Sequence, residues 1–116
     1  MPFEGSCHCG CVRFSVDADL PAKGISCNCS HCRRKGFLLA FFPRELFSLE
    51  RGAESLTTYT FNRHSIRHQF CRVCGTQPFA LGKQADGTET CAVNLLCVPS
   101  VELEKLEIQP VDGASL

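Results

Sequence analysis

Hydrophobic residues recur along the chain in short segments that are separated by turn-forming residues. In the clearest segment, Val12, Phe14 and Val16 alternate with polar neighbours, which is the pattern of a strand with one buried face. Comparable segments predict further strands at residues 25–29, 37–42, 47–49, 56–61, 65–70, 76–81 and 90–98. No segment keeps a helical period for long, so we predict only short helical turns, at residues 30–36 and 100–106. The pattern indicates a mostly β fold of short antiparallel strands.

Length and composition set limits on this fold. The chain has 116 residues, 44% of them hydrophobic, which suits a single domain over residues 1–116 with a modest core. The longest hydrophobic run, Phe37–Phe42, predicts a buried strand and has six residues. A membrane-spanning helix needs roughly 20, so we expect no membrane segment.

The net charge indicates which classes of partner to expect, and the first residues indicate the cellular compartment. Twelve basic side chains balance twelve acidic ones, which argues against a nucleic-acid partner. The chain begins Met-Pro-Phe-Glu-Gly-Ser, without the basic and apolar stretches of a secretory signal, so we expect a cytoplasmic protein. In that reducing compartment the ten cysteines are expected to bind metal rather than to form disulfides.

Seven of the ten cysteines fall into three clusters along the chain. The clusters are Cys7-His8-Cys9, then Cys27-Asn28-Cys29-Ser30-His31-Cys32, then Cys71-Arg72-Val73-Cys74 followed by Gly75. Residues two apart in an extended segment project to the same side, so both cysteines of a C-x-C pair can reach one ion. A C-x-x-C turn followed by Gly is typical of a zinc knuckle, because Gly relieves crowding where the turn tightens.

No single pair of cysteines can complete a tetrahedral zinc site, so the clusters must combine. We favour a division into a closed four-thiolate site and an open three-thiolate site. The closed site comprises Cys7, Cys9, Cys71 and Cys74, and the open site comprises Cys27, Cys29 and Cys32. The closed site would stabilise the fold by on the order of 10 kcal/mol. The open site would leave one zinc position for water or substrate, as catalytic zinc sites do.

The spacing also permits other arrangements, because sequence alone does not fix which ligands share an ion. In one alternative the middle cluster pairs with another cluster to form the only structural site, and the third cluster is left as spare thiols. In a further alternative His8 or His31 completes a site, since both lie inside clusters.

Cysteines and histidines outside the clusters have simpler interpretations. Cys11, Cys91 and Cys97 are expected to be buried small apolar residues rather than ligands. His64 and His68 flank an apolar residue and are interpreted as polar strand residues.

The motifs resemble those of the glutathione-dependent formaldehyde-activating enzyme family, which includes the domain of centromere protein V. The matching segments are Gly5-Ser6-Cys7-His8-Cys9-Gly10 with Val12-Arg13-Phe14, residues 27–34, residues 70–76, residues 93–97 and Asp112-Gly113. The resemblance spans nearly the whole chain. It implies a β-tent of short antiparallel sheets with zinc-binding loops, structural zinc in the four-cysteine site, and a second, labile or catalytic zinc in the three-cysteine site.

The resemblance and the open cluster together predict a zinc-dependent carbon–sulfur lyase. Its substrate would be a small thiol–aldehyde adduct of the S-hydroxymethyl type, built on a glutathione-like thiol. Zinc in the open site would bind a thiol as the thiolate, whereas a free thiol with a pKa of about 8.5 is mostly protonated at pH 7. Arg33 and Arg34 follow the last ligand and are candidate contacts for the carboxylates of such a thiol.

Two other functions fit the same residues. The relationship to centromere protein V and the local basic patches favour a zinc-stabilised binding module without catalysis, acting on a macromolecular partner. A thiol-redox role comes third, because closely spaced thiolates can oxidise reversibly. Against the redox role, no attacking and resolving pair of cysteines is separate from the metal clusters.

Overall fold

The structure, a computed structural model, describes residues 2–61, 66–84 and 86–115. These residues form ten strands and one α-helix. The strands are β1 (Phe3–Ser6), β2 (Arg13–Val16), β3 (Lys23–Cys27), β4 (Leu39–Pro43), β5 (Phe47–Arg51), β6 (Leu56–Tyr59), β7 (Arg67–Cys71), β8 (Phe79–Lys83), β9 (Glu89–Asn94) and β10 (Glu107–Val111). The helix is α1 (Ser30–Lys35). Within the described ranges, no helix has the length and apolar character needed to cross a membrane.

The strands are arranged in two sheets. A three-stranded sheet has the order β1-β2-β5, and a seven-stranded sheet has the order β10-β3-β4-β9-β8-β7-β6. Pairing is antiparallel throughout the described residues except between β10 and β3, which run parallel. The prediction of a mostly β fold is confirmed, and the expected antiparallel pairing is wrong for this one pair.

The core lies between the two sheets and is centred on aromatic rings. Phe14 of β2 and Phe47 of β5 come from the small sheet, and Phe79 of β8 comes from the large one. The Phe14 and Phe79 ring centroids are 6.2 Å apart, and those of Phe47 and Phe79 are 4.6 Å apart. Phe14 and Val16 are fully buried, as the alternation in β2 predicts. Burying rings of this size supplies much of the hydrophobic stabilisation of a small fold.

Several elements differ from the sequence expectations. β1 and β10 were not predicted, because β1 has a single large hydrophobic residue and β10 is mostly exposed. The run 37–42 is not uniformly buried: Phe41 is 55% exposed, because β4 alternates its faces. β9 ends at Asn94, whose side chain accepts a hydrogen bond from the N–H of Leu96 at 3.2 Å. His64 lies outside the described residues.

Candidate metal sites

The first group of thiols joins the loop after β1 to the end of β7. It consists of Cys7, Cys9, Cys71 and Cys74, whose sulfur atoms all lie within 4.8 Å of one another. Cys9 Sγ is 3.6 Å from Cys7 Sγ and 3.7 Å from Cys71 Sγ. These distances are too long for a disulfide. They match the separation of about 3.8 Å between sulfurs placed tetrahedrally at about 2.3 Å from zinc. The four residues fit a zinc ion.

Backbone hydrogen bonds fold each half of this group into a tight loop. The N–H of Cys7 donates to the carbonyl of Val12 at 3.1 Å, and the N–H of Cys71 donates to that of Thr76 at 2.9 Å. Gly75 closes the second loop with φ of 80°, a conformation that side chains disfavour. These two loops place the four sulfur atoms close together.

The pKa values of two thiols in this group are shifted in opposite directions. Burial opposes ionisation of Cys74, but hydrogen bonds that include one with the Thr76 hydroxyl lower its pKa to about 5. A backbone hydrogen bond from Cys11 lowers the pKa of Cys9, yet neighbouring thiols outweigh it and raise the pKa to about 12. Thiols this close do not all ionise unless a cation offsets their charges. The group therefore suits a divalent metal.

The second group of thiols comes from one short segment. Cys27 is the last residue of β3, Cys29 caps the N-terminus of α1, and Cys32 is buried within α1. Their three sulfur atoms also lie within 4.8 Å of one another. In the described ranges, no fourth cysteine, histidine or carboxylate ligand joins them. The three residues fit a zinc ion that keeps one position open.

The thiols of this second group differ in how readily they ionise. Burial works against ionisation of Cys29, but the backbone N–H of Cys32, 3.3 Å from Cys29 Sγ, contributes to a lowered pKa. Burial raises the pKa of Cys32, and the neighbouring thiols raise it further. One thiolate is thus favoured in the absence of metal, and ionising all three requires a cation.

The C-terminal segment covers one side of the second group. Asn28 Nδ2 donates to Asp112 Oδ1 at 3.0 Å, and Asn28 Oδ1 accepts from the N–H of Ala114 at 3.0 Å. These bonds bring Gly113 so close to Cys27 Sγ that a β-carbon at this position would clash with the sulfur. Asp112-Gly113 belongs to the segments that resemble the family, but no sequence pattern predicts this contact.

The second group opens into a cavity of about 440 Å³. Its walls are mainly apolar side chains of β4, β8 and β9 together with Phe37 and Phe61. The buried polar residues that line it are His68, Gln77 and Asn94. A largely apolar cavity with a few polar groups is typical of small-molecule sites.

A layer of polar and aromatic rings lies beside this cavity, and sequence reasoning missed it. The rings of His31 and His68 have centroids 4.1 Å apart, and Phe61 stacks on both. Gln77 Nε2 lies 3.2 Å from His68 Nδ1. Burial, helped by the charges of His31 and Lys35, lowers the pKa of His68 to about 4, so its imidazole is neutral at pH 7. No spacing rule links residues 31, 68 and 77, because strand pairing brings them together.

The remaining predicted residues lie around these sites. Arg33 and Arg34 are exposed on α1, and Arg34 Nη1 donates to the Ser30 carbonyl at 2.8 Å. Arg34 also lines a second cavity of about 530 Å³. Phe61 and Gln77 line both cavities, which are therefore neighbours. His8 is exposed and belongs to neither thiol group among the described residues.

The three cysteines outside the clusters differ in burial. Cys91 is fully buried in the core, as expected. Cys11 and Cys97 are only half-buried, so the expectation of full burial is wrong for these two. Both belong to the edge of the core, where they pack against buried hydrophobic residues.

The sequence model of a family described as "Glutathione-dependent formaldehyde-activating enzyme" matches residues 2–110. The chain belongs to this family. The match contains every cysteine of both thiol groups, and the resemblance inferred from the motifs is confirmed.

Individual relatives agree with this membership. The solved structure of a Rhodobacter sphaeroides protein superposes with a TM-score of 0.77 and 32% identity, covering 91% of this chain and 99% of that one. A Halomonas elongata protein named after the formaldehyde-activating family is 53% identical over 34 residues, which are 29% of this chain. The matched segment spans only 22% of that relative's length.

Proposed function

We propose that this protein is a zinc-dependent carbon–sulfur lyase that forms and cleaves the adduct of a small, glutathione-like thiol with formaldehyde. The observation that carries the proposal is the group Cys27, Cys29 and Cys32, which opens into an apolar cavity. Membership of a family named for glutathione-dependent formaldehyde activation supports the same chemistry. We also propose that residues 1–116 act as one cytoplasmic zinc-binding domain.

The two thiol groups would have different roles. Cys7, Cys9, Cys71 and Cys74 would hold a structural zinc ion, and Cys27, Cys29 and Cys32 would hold a second, exchangeable ion. When bound at the second group, zinc supplies an open coordination position for a thiolate and acts as a Lewis acid toward an oxygen.

The reaction itself needs no further cofactor. Addition forms a carbon–sulfur bond and breaks the carbonyl π bond, and the thiol proton ends on the oxygen. Cleavage reverses each change, so neither direction is an oxidation or a reduction. The chain's contribution is to exclude water with the apolar cavity walls and to hold the reactants close together.

Cationic side chains would bind the carboxylates of the thiol. Arg34 and Lys35 line the second cavity, which shares Phe61 and Gln77 with the cavity of the thiols. A peptide thiol can therefore place its sulfur near the cysteines and its charged ends near these two residues. Arg33, exposed beside them, would add to the attraction.

The test combines metal content with thiol binding. We expect two zinc ions per chain by plasma emission spectroscopy, and a change in the visible spectrum of one cobalt-substituted site when glutathione is added. We also expect the protein to accelerate the exchange between glutathione with formaldehyde and their adduct, measured by NMR. A single zinc ion, or two ions that do not respond to glutathione and no acceleration, would instead indicate a zinc-stabilised binding module.

A further inference from the structure

We infer that His68 and Gln77 form an oxygen-binding pair that recognises the hydroxyl group of a thiol–aldehyde adduct, and the carbonyl oxygen from which it forms. This inference rests on the proposed function, because it assigns the groups that distinguish the adduct from the thiol alone. Both residues are buried and both line the cavity into which Cys27, Cys29 and Cys32 open.

The first support for this inference is the location of the buried polar atoms that have no hydrogen-bond partner. In the part of the chain that the structure describes, the buried side-chain N and O atoms without a hydrogen-bond partner belong to just three residues. They are Nδ1 and Nε2 of His31, Nε2 of His68 and Oε1 of Gln77. A buried polar group without a partner costs roughly 1–3 kcal/mol, so this layer is a place where a bound molecule can gain hydrogen bonds.

The second support is the hydrogen-bonding capacity that the pair has left. With Gln77 Nε2 donating to His68 Nδ1 at 3.2 Å, the neutral imidazole carries its proton on Nε2. The two atoms of the pair without a partner are then a donor, Nε2–H of His68, and an acceptor, Oε1 of Gln77. Reversing the amide and the tautomer makes the same His68 nitrogen the acceptor and places the unpartnered donor on the Gln77 amide.

This capacity matches a hydroxyl group, which both accepts and donates. A thioether only accepts, and a free thiol donates and accepts only weakly, whereas the S-hydroxymethyl group offers a strong donor and a strong acceptor on one oxygen. Asn94 is the other buried polar residue that lines the cavity, and its side-chain nitrogen and oxygen each already have a hydrogen-bond partner. Its Nδ2 donates to the Gln77 carbonyl at 3.1 Å, and its Oδ1 accepts from the N–H of Leu96.

The donor and the acceptor of the pair also match the changes that the reacting oxygen undergoes during the proposed reaction. As sulfur adds to the aldehyde carbon, negative charge develops on the oxygen, and the donor of the pair stabilises it in a site screened from water. The thiol proton ends on this oxygen, and the resulting O–H donates to the acceptor of the pair. His31, whose ring is tilted against that of His68 at 4.1 Å between centroids, extends the same polar layer but lines only the second cavity.

The test compares two glutamines that are both buried. Gln77→Met removes the polar atoms of the pair, and Gln69→Met is the matched control. Gln69, on β7, is also buried, accepts a hydrogen bond from the Thr58 hydroxyl at 3.1 Å, and lies outside the residues that line either cavity. His68→Phe removes the other member of the pair, and His68→Gln restores an amide donor.

The probes are glutathione alone and glutathione with formaldehyde, added to the zinc-loaded protein. We expect Gln77→Met and His68→Phe to bind glutathione within about twofold of the wild type and to form the adduct about 100-fold more slowly. Gln69→Met should match the wild type in both, and His68→Gln should recover part of the rate. In the wild type, the adduct but not glutathione should shift the ¹⁵N resonance of the unpaired His68 nitrogen.

Equal rates in Gln77→Met and Gln69→Met, or no ¹⁵N shift specific to the adduct, would overturn the inference while leaving the lyase function intact. Failure of the wild type to bind glutathione or to form the adduct would instead overturn the proposed function. If Gln77→Met does not fold, the ¹⁵N measurement on the wild type decides alone.

Discussion

The two thiol groups are built in opposite ways. The four-cysteine group joins residues that are far apart in sequence, with Cys9 and Cys71 separated by 62 positions. The three-cysteine group comes from residues 27–32 alone, and its outer side is covered by a C-terminal segment through Asn28. A metal that links distant segments restricts the unfolded chain strongly. A metal held by one local segment restricts it little and leaves a position free for chemistry.

The largest expected effect comes from breaking the four-cysteine group. Cys71→Ser removes a fully buried thiol of this group, and, if the group holds the proposed structural zinc, its loss should remove on the order of 10 kcal/mol of folding free energy. We expect an unfolded chain by circular dichroism, with no cooperative thermal transition. A folded Cys71→Ser protein would show that the two groups are not divided between structure and chemistry as proposed.

The next effect is the loss of one metal ion without loss of the fold. Cys29→Ser removes a thiol of the three-cysteine group, and the serine hydroxyl can still serve as the N-cap acceptor of the six-residue helix, because Ser is a preferred N-cap residue. We expect metal content to fall from two ions per chain toward one, with a cooperative thermal transition retained. Cys91→Ala, which changes a buried cysteine outside both groups, is the control and should keep both ions. Unfolding of Cys29→Ser beside a tolerated Cys71→Ser would reverse the assignment.

As the pH is lowered, the two thiol groups should release their metal ions at different pH values. Protons compete with metal for thiolates, so both ions leave as the pH falls. The three-cysteine group offers one thiolate fewer than the four-cysteine group, so it should bind its ion less tightly and release it at the higher pH. Metal content followed by dialysis between pH 7 and pH 4 should show two steps, with the fold lost at the second. A single step would mean that the groups bind metal equally well.

The smallest expected effect concerns the C-terminal segment. Gly113→Ala places a β-carbon against Cys27 Sγ, so we expect about tenfold weaker zinc binding at the three-cysteine group. Competition with a chromophoric chelator measures this affinity. Gly82→Ala is the control, since its β-carbon meets Ile66 at an ordinary 3.6 Å. Equal affinities in both variants would show that the segment does not help to shape the site.

The sequence alone is sufficient to predict the strands with clear alternation and to find the three cysteine clusters, although it does not fix how the clusters combine. Val12, Phe14 and Val16 predict a one-sided strand because side chains alternate along an extended backbone. The C-x-C and C-x-x-C spacings predict metal ligands because few other functions need thiols so close together. These signals are local, so a single sequence is enough to detect them.

The surroundings of those cysteines depend on the tertiary structure. β10 joins the sheet in parallel beside β3 and places Gly113 against Cys27, which no pattern within residues 107–113 indicates. In the same way, His31, His68 and Gln77 come from a helix, a strand and a loop, and they meet only once β7 and β8 pair. Ligand spacing depends on neighbouring residues, whereas a cavity depends on which distant segments the fold brings together.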